Sequence, residues 1–174
     1  MKAILAVDNF NGISKKGMIP WHKPNDLKFF KKITTQTYLP NKINAVLMGR
    51  KTWESLPRKF LLNRINIVLT RNPIKYQRYQ DANLIFVSSI IAAKNFVRNK
   101  YIIETLWVIG GAEIYNEVFL DKDITDIFVT KVNGNFNCDK FVQLPKMKEI
   151  NRSQIDDLTF IHLKNWKKNY FYIY

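Results

Sequence analysis

The sequence predicts an α/β fold in one domain, with a mostly parallel central sheet, an antiparallel hairpin at its C-terminal edge and helices on both faces. Short runs rich in Val, Ile and Leu alternate along the chain with segments of helical pattern, which is typical of parallel strands buried on both faces. The chain has 174 residues, of which 47% are hydrophobic, enough for the core of one domain of about 100–200 residues. No repeat or linker divides residues 1–174, so they are expected to form a single domain.

Six strands are predicted in the first 132 residues, each a short apolar run. They are Ala3–Val7, Asn44–Met48, Ile65–Leu69, Leu84–Val87, Leu106–Ile109 and Ile124–Val132. Near the C-terminus, Leu158–Leu163 and Asn169–Tyr174 flank a Lys/Asn turn. This pattern predicts the antiparallel hairpin.

Four helices are predicted between these strands. Asp26–Thr35 follows a Pro-Asn start and places Leu27, Phe30 and Ile33 on one stripe. The other three are Lys51–Leu56, Ser89–Asn99 with Ser88 or Ser89 as its N-cap, and Ala112–Phe119.

The composition excludes several classes of protein. Cys138 is the single cysteine and His22 and His162 are the only histidines, so neither an internal disulfide nor a Cys/His metal cluster can form. No stretch approaches the ~20 apolar residues that cross a bilayer. The apolar run Ala3–Val7 is shorter than the core of a signal peptide, about 7–15 residues. We therefore expect a metal-free protein in the cytoplasm, with no membrane association.

Positive charge is concentrated in one part of the chain. The formal net charge is +14, and the stretch from Leu27 to Gln80 has twelve basic residues and one acid, Glu54. Such a face attracts nucleic acid, an acidic lipid surface or a small polyanion such as a dinucleotide phosphate. The abundance of Lys, Ile and Asn equally fits compositional drift, which would explain the total charge but not the positions of the arginines.

Three predicted strands end in residues suited to an anionic ligand. Gly49-Arg50-Lys51-Thr52, Thr70-Arg71 and Gly110-Gly111-Ala112-Glu113 each follow a strand, and ligands of open α/β sheets bind beyond the carboxyl ends of the strands. Small residues there let backbone N–H groups approach phosphates. Each glycine site taken alone is as readily a tight strand-to-helix turn. No Gly-x-Gly-x-x-Gly or Walker motif is present, which argues against a standard Rossmann or P-loop site.

Asp26 is the second candidate for chemistry. It opens the apolar face of the first predicted helix, close to Leu27 and Phe30, and Trp21 precedes it. An acid in the first turn of a helix commonly only complements the helix dipole. An isolated carboxylate in an apolar pocket is instead a functional candidate, because burial perturbs its protonation.

Taken together, six motifs resemble the dihydrofolate reductase family, in the family's order and spacing over residues 1 to about 132. They are Ala6-Val7-Asp8, Gly17-Met18-Ile19-Pro20-Trp21, Asp26-Leu27-x-x-Phe30, Met48-Gly49-Arg50-Lys51-Thr52-Trp53-Glu54-Ser55, Arg64-Ile65-Asn66-Ile67-Val68-Leu69-Thr70-Arg71 and Val108-Ile109-Gly110-Gly111-Ala112-Glu113-Ile114-Tyr115. The resemblance implies that family's fold and NADPH-dependent reduction of 7,8-dihydrofolate to tetrahydrofolate, in support of one-carbon metabolism and thymidylate synthesis. A hydride moves to C6 and a proton reaches N5.

The resemblance also assigns roles around the substrate. Asp26 matches the carboxylate that binds the N3 and 2-amino edge of the pterin, Trp21 the tryptophan that holds a water nearby, and Thr130 the hydroxyl that bonds Asp26. Arg64 matches the arginine that grips the α-carboxylate of the substrate's glutamate; sequence alone favours a surface arginine. The other substrate-binding positions are the carbonyls of Ile4 and Ile109 and the side chains of Leu5, Leu27, Phe30, Leu56 and Leu61.

For NADPH, the resemblance places Ala6, Ile13 and Tyr115 against the nicotinamide, and Tyr115 also counts among the catalytic residues. Thr70 and Arg71 match the pair beside the adenosine 2′-phosphate, which favours NADPH over NADH. Gly110-Gly111 matches a cis peptide. The remaining cofactor-binding positions, several of them at phosphates, are Gly49, Arg50, Lys51, Thr52, Leu69, Ala112, Glu113 and Ile114.

Two departures and two rival functions qualify this assignment. Ser14 stands where a glycine is usual in the active-site loop, and Leu56–Asn63 is shorter and more apolar than the usual segment. A related reductase of pyrimidine intermediates in flavin synthesis would not need Trp21, Asp26 and Arg64. A basic nucleic-acid-binding module is disfavoured by scattered lysines and the intact acid pocket. We expect a monomer that binds dihydrofolate and antifolates, and no nucleic acid.

Overall fold

The fold, seen in a computed structural model that describes residues 1–165, is built on an eight-stranded sheet in the order β5-β4-β3-β6-β1-β7-β10-β9. The strands from β5 to β7 in this order run parallel. In chain order they are β1 (Lys2–Val7), β3 (Ile43–Gly49), β4 (Arg64–Leu69), β5 (Leu84–Val87), β6 (Ile103–Val108) and β7 (Asp126–Val132). All six predicted strands are present, with ends that differ by at most three residues, and the predicted fold class is confirmed.

The antiparallel edge is formed by β9 (Lys148–Ile155) and β10 (Leu158–Lys164), and β10 pairs with β7. The partner of Leu158–Leu163 therefore precedes it in the chain. Sequence reasoning missed β9 because every residue of that strand is exposed, so it has no apolar alternation. Asp156 takes a φ of 54° in the connecting turn, which aspartate tolerates better than most residues. The predicted strand Asn169–Tyr174 lies outside the described residues.

Helices lie on both faces of the sheet. They are α1 (Pro24–Thr35), α2 (Arg50–Ser55), α3 (Ile90–Arg98) and α4 (Ala112–Val118), and a 3₁₀ helix spans Ile74–Tyr79. The Ser89 side chain accepts from the Ala92 N–H at 3.1 Å and caps α3, as its residue type predicts. All four predicted helices are present.

Two apolar clusters, one on each side of the sheet, form most of the core, and a smaller third cluster contains Val132, Leu158 and Phe160. On β4, Ile65 and Ile67 pack with residues of α3 and α4. Val68 points the other way and packs with Trp53 of α2 and the half-buried Phe30 of α1. Side chains of a strand alternate between faces, so Arg64 and Asn66 lie on the same side as Val68, facing α1.

A second, two-stranded sheet lies beside the main one and was not predicted. It pairs β2 (Gly12–Ser14) with β8 (Lys140–Phe141). The buried carboxylate of Asp8 accepts hydrogen bonds from the N–H groups of Phe10 at 2.9 Å and Gly12 at 2.8 Å. These bonds hold the pKa of Asp8 below its usual value although burial opposes them. The loop that leads to Ile13 is thus fixed to the end of β1.

Candidate active site

Several predicted site residues lie along α1, and the region between this helix and the sheet, from Asp26 to Arg64, is referred to as the groove. Asp26 is in the first turn of α1 and Thr34 near its last, about 12 Å apart at 1.5 Å per residue. Asp26, Phe30 and Thr34 follow one another at intervals of four residues, which places them on one face of the helix. The carboxyl ends of the parallel strands meet at the Asp26 end of the groove.

The Asp26 carboxylate is half-buried and forms a hydrogen bond with the Thr130 side chain. Thr130 is in β7 and is 1% exposed. Burial raises the pKa of Asp26, and the bond from Thr130 only partly offsets this effect. The structure therefore joins these two predicted residues in a pocket where the carboxylate takes up a proton more readily than an exposed aspartate does.

Trp21 lies beside this end of the groove. Its ring packs edge-on against Phe136 with centroids 5.0 Å apart, among residues that include Ala6 and Phe29. The indole Nε1 is buried and has no hydrogen-bond partner within residues 1–165. An indole N–H can only donate, so the site offers one buried donor to an acceptor from outside the chain.

Tyr115 lies at the centre of the site. Its hydroxyl donates to the Ile4 carbonyl at 2.7 Å. Complete burial and the nearby charge of Asp26 raise the pKa of this phenol, so Tyr115 stays neutral. A carbonyl has two lone pairs, which leaves the Ile4 carbonyl able to accept a second hydrogen bond.

Arg64 is at the other end of the groove and is only 5% exposed, which overturns the surface location that sequence alone favours. Its Nε donates to the Leu62 carbonyl at 3.0 Å and its Nη1 to the Thr34 hydroxyl at 2.7 Å. The guanidinium lies 5.7 Å from the Phe30 ring centroid. Burial lowers the pKa of Arg64, and no acidic side chain among residues 1–165 forms an ion pair with it.

Apolar side chains line the groove between Asp26 and Arg64. Ile4, Phe30, Leu56, Leu61 and Ile109 belong to one cluster. Leu27 is exposed over 51% of its surface. The expectation for Leu5 needs correction, because its side chain packs into the cluster on the other face of the sheet.

The predicted glycines come together where β3 and β6 end. The Gly49 N–H donates to the Gly110 carbonyl at 2.7 Å, and the Gly110–Gly111 peptide bond is cis, as the resemblance implies. A Cβ at Gly49 would lie 3.1 Å from Ile114 Cδ1, and one at Gly111 would lie 3.4 Å from Thr52 Oγ1. Gly110 has a φ of 117°, which L residues with a side chain rarely adopt. Close packing at Gly49 and the backbone conformation of Gly110 therefore favour glycine at this junction.

The predicted phosphate ligands differ in their surroundings. Arg50 is paired with Glu54 at 2.6 Å, so its charge is already partly engaged. Lys51 and Arg71 are exposed, and Thr70 is buried with its N–H bonded to the Val87 carbonyl at 2.9 Å. The other predicted cofactor residues vary in exposure: Glu113 is exposed, whereas Ala6, Ile13, Leu69 and Ala112 are half-buried.

Sequence reasoning missed two polar residues of the site, Thr34 and Asn66. The Thr34 hydroxyl accepts from Arg64 and donates to the Phe30 carbonyl at 2.7 Å. Asn66 is buried and hydrogen-bonds the backbone of Leu61 and Arg64. A signal was available for Asn66, because an amide inside a strand predicted to be buried on both faces needs partners.

Two other kinds of feature are absent from residues 1–165. None of their helices is long and apolar enough to cross a membrane. No group of three or more His, Cys, Asp or Glu side chains in this part of the chain could hold a metal ion.

Comparison of the sequence with known proteins identifies the family. The sequence model of the dihydrofolate reductase family matches residues 1–170. A dihydrofolate reductase of Candida albicans is 40% identical over 141 residues, which cover 77% of this chain and 70% of that protein. One of Heliothis virescens is 33% identical over 138 residues, covering 78% and 74%. A bifunctional dihydrofolate reductase-thymidylate synthase of Daucus carota is 36% identical over 148 residues, covering 82% of this chain but 28% of that protein. The chain belongs to the dihydrofolate reductase family.

Proposed function

We propose that this protein reduces 7,8-dihydrofolate to tetrahydrofolate with NADPH as the reductant. One observation carries the proposal. An apolar cluster has the half-buried carboxylate of Asp26 at one end and, at the other, the buried guanidinium of Arg64, which forms no ion pair among residues 1–165. Dihydrofolate has a matching order of groups: a pterin that donates hydrogen bonds, an apolar benzoyl ring and a glutamate carboxylate.

In this proposal Asp26 holds the pterin and supports its protonation. Its two oxygens accept hydrogen bonds from N3 and the 2-amino group, while Thr130 fixes the carboxylate from the side of β7. Its negative charge favours protonation of the ring at N5. Because N3 and the 2-amino group lie on the opposite side of the pterin from N5, a carboxylate bound there would pass the proton through water, for which the Trp21 N–H is an available buried donor.

The apolar wall and the backbone carbonyls orient the ring. The carbonyls of Ile4 and Ile109 face the pterin edge, and the hydroxyl of Tyr115 holds the Ile4 carbonyl in place. Phe30, Leu56 and Leu61 cover the benzoyl ring. Exclusion of water from this space protects a hydride step from side reactions.

The junction between β3 and β6 fits a dinucleotide. Gly49, Gly110 and Gly111 place backbone without side chains at this junction, where the dinucleotide is proposed to lie. A Cβ at Gly49 would lie close to Ile114, and one at Gly111 close to Thr52. The bound nicotinamide would supply the hydride to C6 of the substrate. Exposed Lys51 and Arg71 provide positive charge for phosphates, and Arg71 with Thr70 is proposed to select the 2′-phosphate of NADPH.

The decisive experiment is the loss of NADPH absorbance when dihydrofolate is added to the purified protein. We expect turnover with dihydrofolate and inhibition by diaminopyrimidine antifolates that bind Asp26. Turnover of a pyrimidine substrate of flavin synthesis without any turnover of dihydrofolate would overturn the proposal. We also predict that the protein is cytoplasmic and a monomer. Sedimentation of the pure protein tests whether it is a monomer.

A further inference from the structure

The side chain of Asn66 makes several hydrogen bonds, although the pairing of a strand in a sheet needs only its backbone groups. It is fully buried near the middle of β4, on the face that carries Val68 two residues later. Its oxygen accepts from the Leu61 N–H at 2.7 Å. Its nitrogen donates to the carbonyls of Leu61 at 3.0 Å, Arg64 at 2.9 Å and Asn83 at 3.3 Å. A buried amide is costly unless bonded in this way, and Val68 shows that an apolar residue suits this face.

Most of these bonds secure the segment that enters β4. Both backbone groups of Leu61 are bonded to one carboxamide, and the Arg64 carbonyl to its nitrogen. Between them the chain turns at Leu62 and at Asn63, which has a φ of 59°. The pairing of β4 with its two neighbours rests on backbone hydrogen bonds, so the side chain of Asn66 is largely free to hold this turn.

The turn at Leu62 and Asn63 positions the guanidinium of Arg64. The Leu62 carbonyl accepts from Arg64 Nε at 3.0 Å, and Thr34 on α1 accepts from Nη1 on the other side. Displacement of Leu62 would therefore remove one of the two bonds that orient Arg64. The side chain of Leu61, half-buried against the groove cluster, would move with it.

We propose that Asn66 is a positioning residue for the glutamate-bearing tail of the substrate, which it serves through Leu61, Leu62 and Arg64. The inference rests on the proposed function, because it takes Arg64 to bind the tail carboxylate. Asn66 itself touches no substrate. It sets the place and direction of the donors that Arg64 offers.

The test compares two substrates that differ only in the tail. Asn66→Ala is assayed with dihydrofolate and with 6-methyl-7,8-dihydropterin, which has the reacting ring but no benzoylglutamate. Loss of an oriented charge-assisted bond predicts about a tenfold rise in the KM for dihydrofolate. The KM for the pterin and both kcat values should change by less than about twofold, because the groups at Asp26 are untouched.

Two further variants separate positioning from general damage. Ile67→Ala removes a fully buried side chain from the next position of β4, but on the opposite face. It should lower stability without changing the ratio of the two KM values. Arg64→Leu supplies the second control: in that background Asn66→Ala should raise the dihydrofolate KM by less than about twofold, because residues that act through one contact are not additive.

Each other outcome has a definite meaning. Equal losses for both substrates in Asn66→Ala, an unchanged dihydrofolate KM, or full additivity with Arg64→Leu would overturn the positioning role while leaving the proposed function in place. An unchanged dihydrofolate KM in Arg64→Leu alone would instead refute the assignment of the tail, and with it the inference. If Asn66→Ala does not fold, Asn66→Ser is measured in the same way. Failure of both to fold while Ile67→Ala folds would assign Asn66 to folding and overturn the inference.

Discussion

Replacement of Arg64 by leucine should weaken ligands with a glutamate tail and spare those without one. The guanidinium has five N–H donors, and two of them bond Leu62 and Thr34, so three remain for a carboxylate. A hydrogen bond to a charged group contributes roughly 1.5–3 kcal/mol, and about 1.4 kcal/mol is a factor of ten in affinity. We expect Arg64→Leu to weaken dihydrofolate and methotrexate by about 10- to 150-fold.

The same substitution should have little effect on the stability of the free protein. Arg64 is buried without an acidic partner among residues 1–165, and burial lowers its pKa, so its charge is a cost to folding. Leucine removes that cost. Against this gain, the Leu62 carbonyl and the Thr34 hydroxyl lose a donor, although Thr34 keeps its bond to the Phe30 carbonyl. We expect the free energy of unfolding to stay within about 1 kcal/mol of the wild type.

Dissociation constants from fluorescence titration, together with urea unfolding, check both expectations. Methotrexate represents the tailed ligands, and a small diaminopyrimidine, which binds Asp26 through its protonated ring, represents the others. Parallel losses for both ligands, or a large loss of stability, would make Arg64 a structural residue and refute this reasoning.

Three further substitutions test the remaining parts of the site and the fold. Asp26→Asn should lower turnover at pH 7 by about 100-fold or more while the NADPH dissociation constant stays unchanged; steady-state kinetics with a near wild-type rate would remove Asp26 from the mechanism. Arg71→Ala should weaken NADPH about tenfold and NADH less than twofold, and equal losses in a binding titration would place Arg71 at the shared pyrophosphate. Burial alone would raise the pKa of Asp126, but bonds from Thr125 and His162 hold it below the usual value. The stabilising contribution of the Asp126 carboxylate is therefore present above about pH 4 and is lost as the pH falls through its lowered pKa. The difference in unfolding free energy between wild type and Asp126→Asn should shrink as the pH falls below about 4, and a difference that grew there would contradict this sign.

The parallel part of the fold could be predicted because its strands are buried on both faces. Largely apolar runs such as Asn44–Met48 and Ile65–Leu69 are of strand length and too short for a buried helix. The edge escaped prediction for the opposite reason. Strand β9 is exposed along its whole length, and it is held by its backbone pairing with β10 across a two-residue turn, so its side chains need no apolar pattern.

For the site, the sequence was a better guide to which residues take part than to what their side chains contact. It singled out Asp26 because an acid on an apolar helix face is unusual. It could not predict that Arg50 is paired with Glu54, because either side chain could equally face solvent. It also could not predict that Leu5 points away from the groove, because the alternation of a strand defines two faces without showing which one the ligand contacts.

Asn44, Asn66 and Arg64 are buried polar residues at the end of the groove away from Asp26. Hydrogen bonds offset the free-energy cost of burying them to different extents. Asn44 donates to the carbonyls of Thr34 and Gln36 and accepts from the Thr105 N–H, which ties the end of α1 to the sheet. Asn66 holds the turn before β4. Both amides recover in hydrogen bonds what burial costs them. Arg64 recovers only part, because its charge has no partner within residues 1–165. A low dielectric strengthens any pair that this cation later forms. Stability and ligand affinity therefore oppose each other at Arg64, whereas at Asn66 one set of hydrogen bonds supports both.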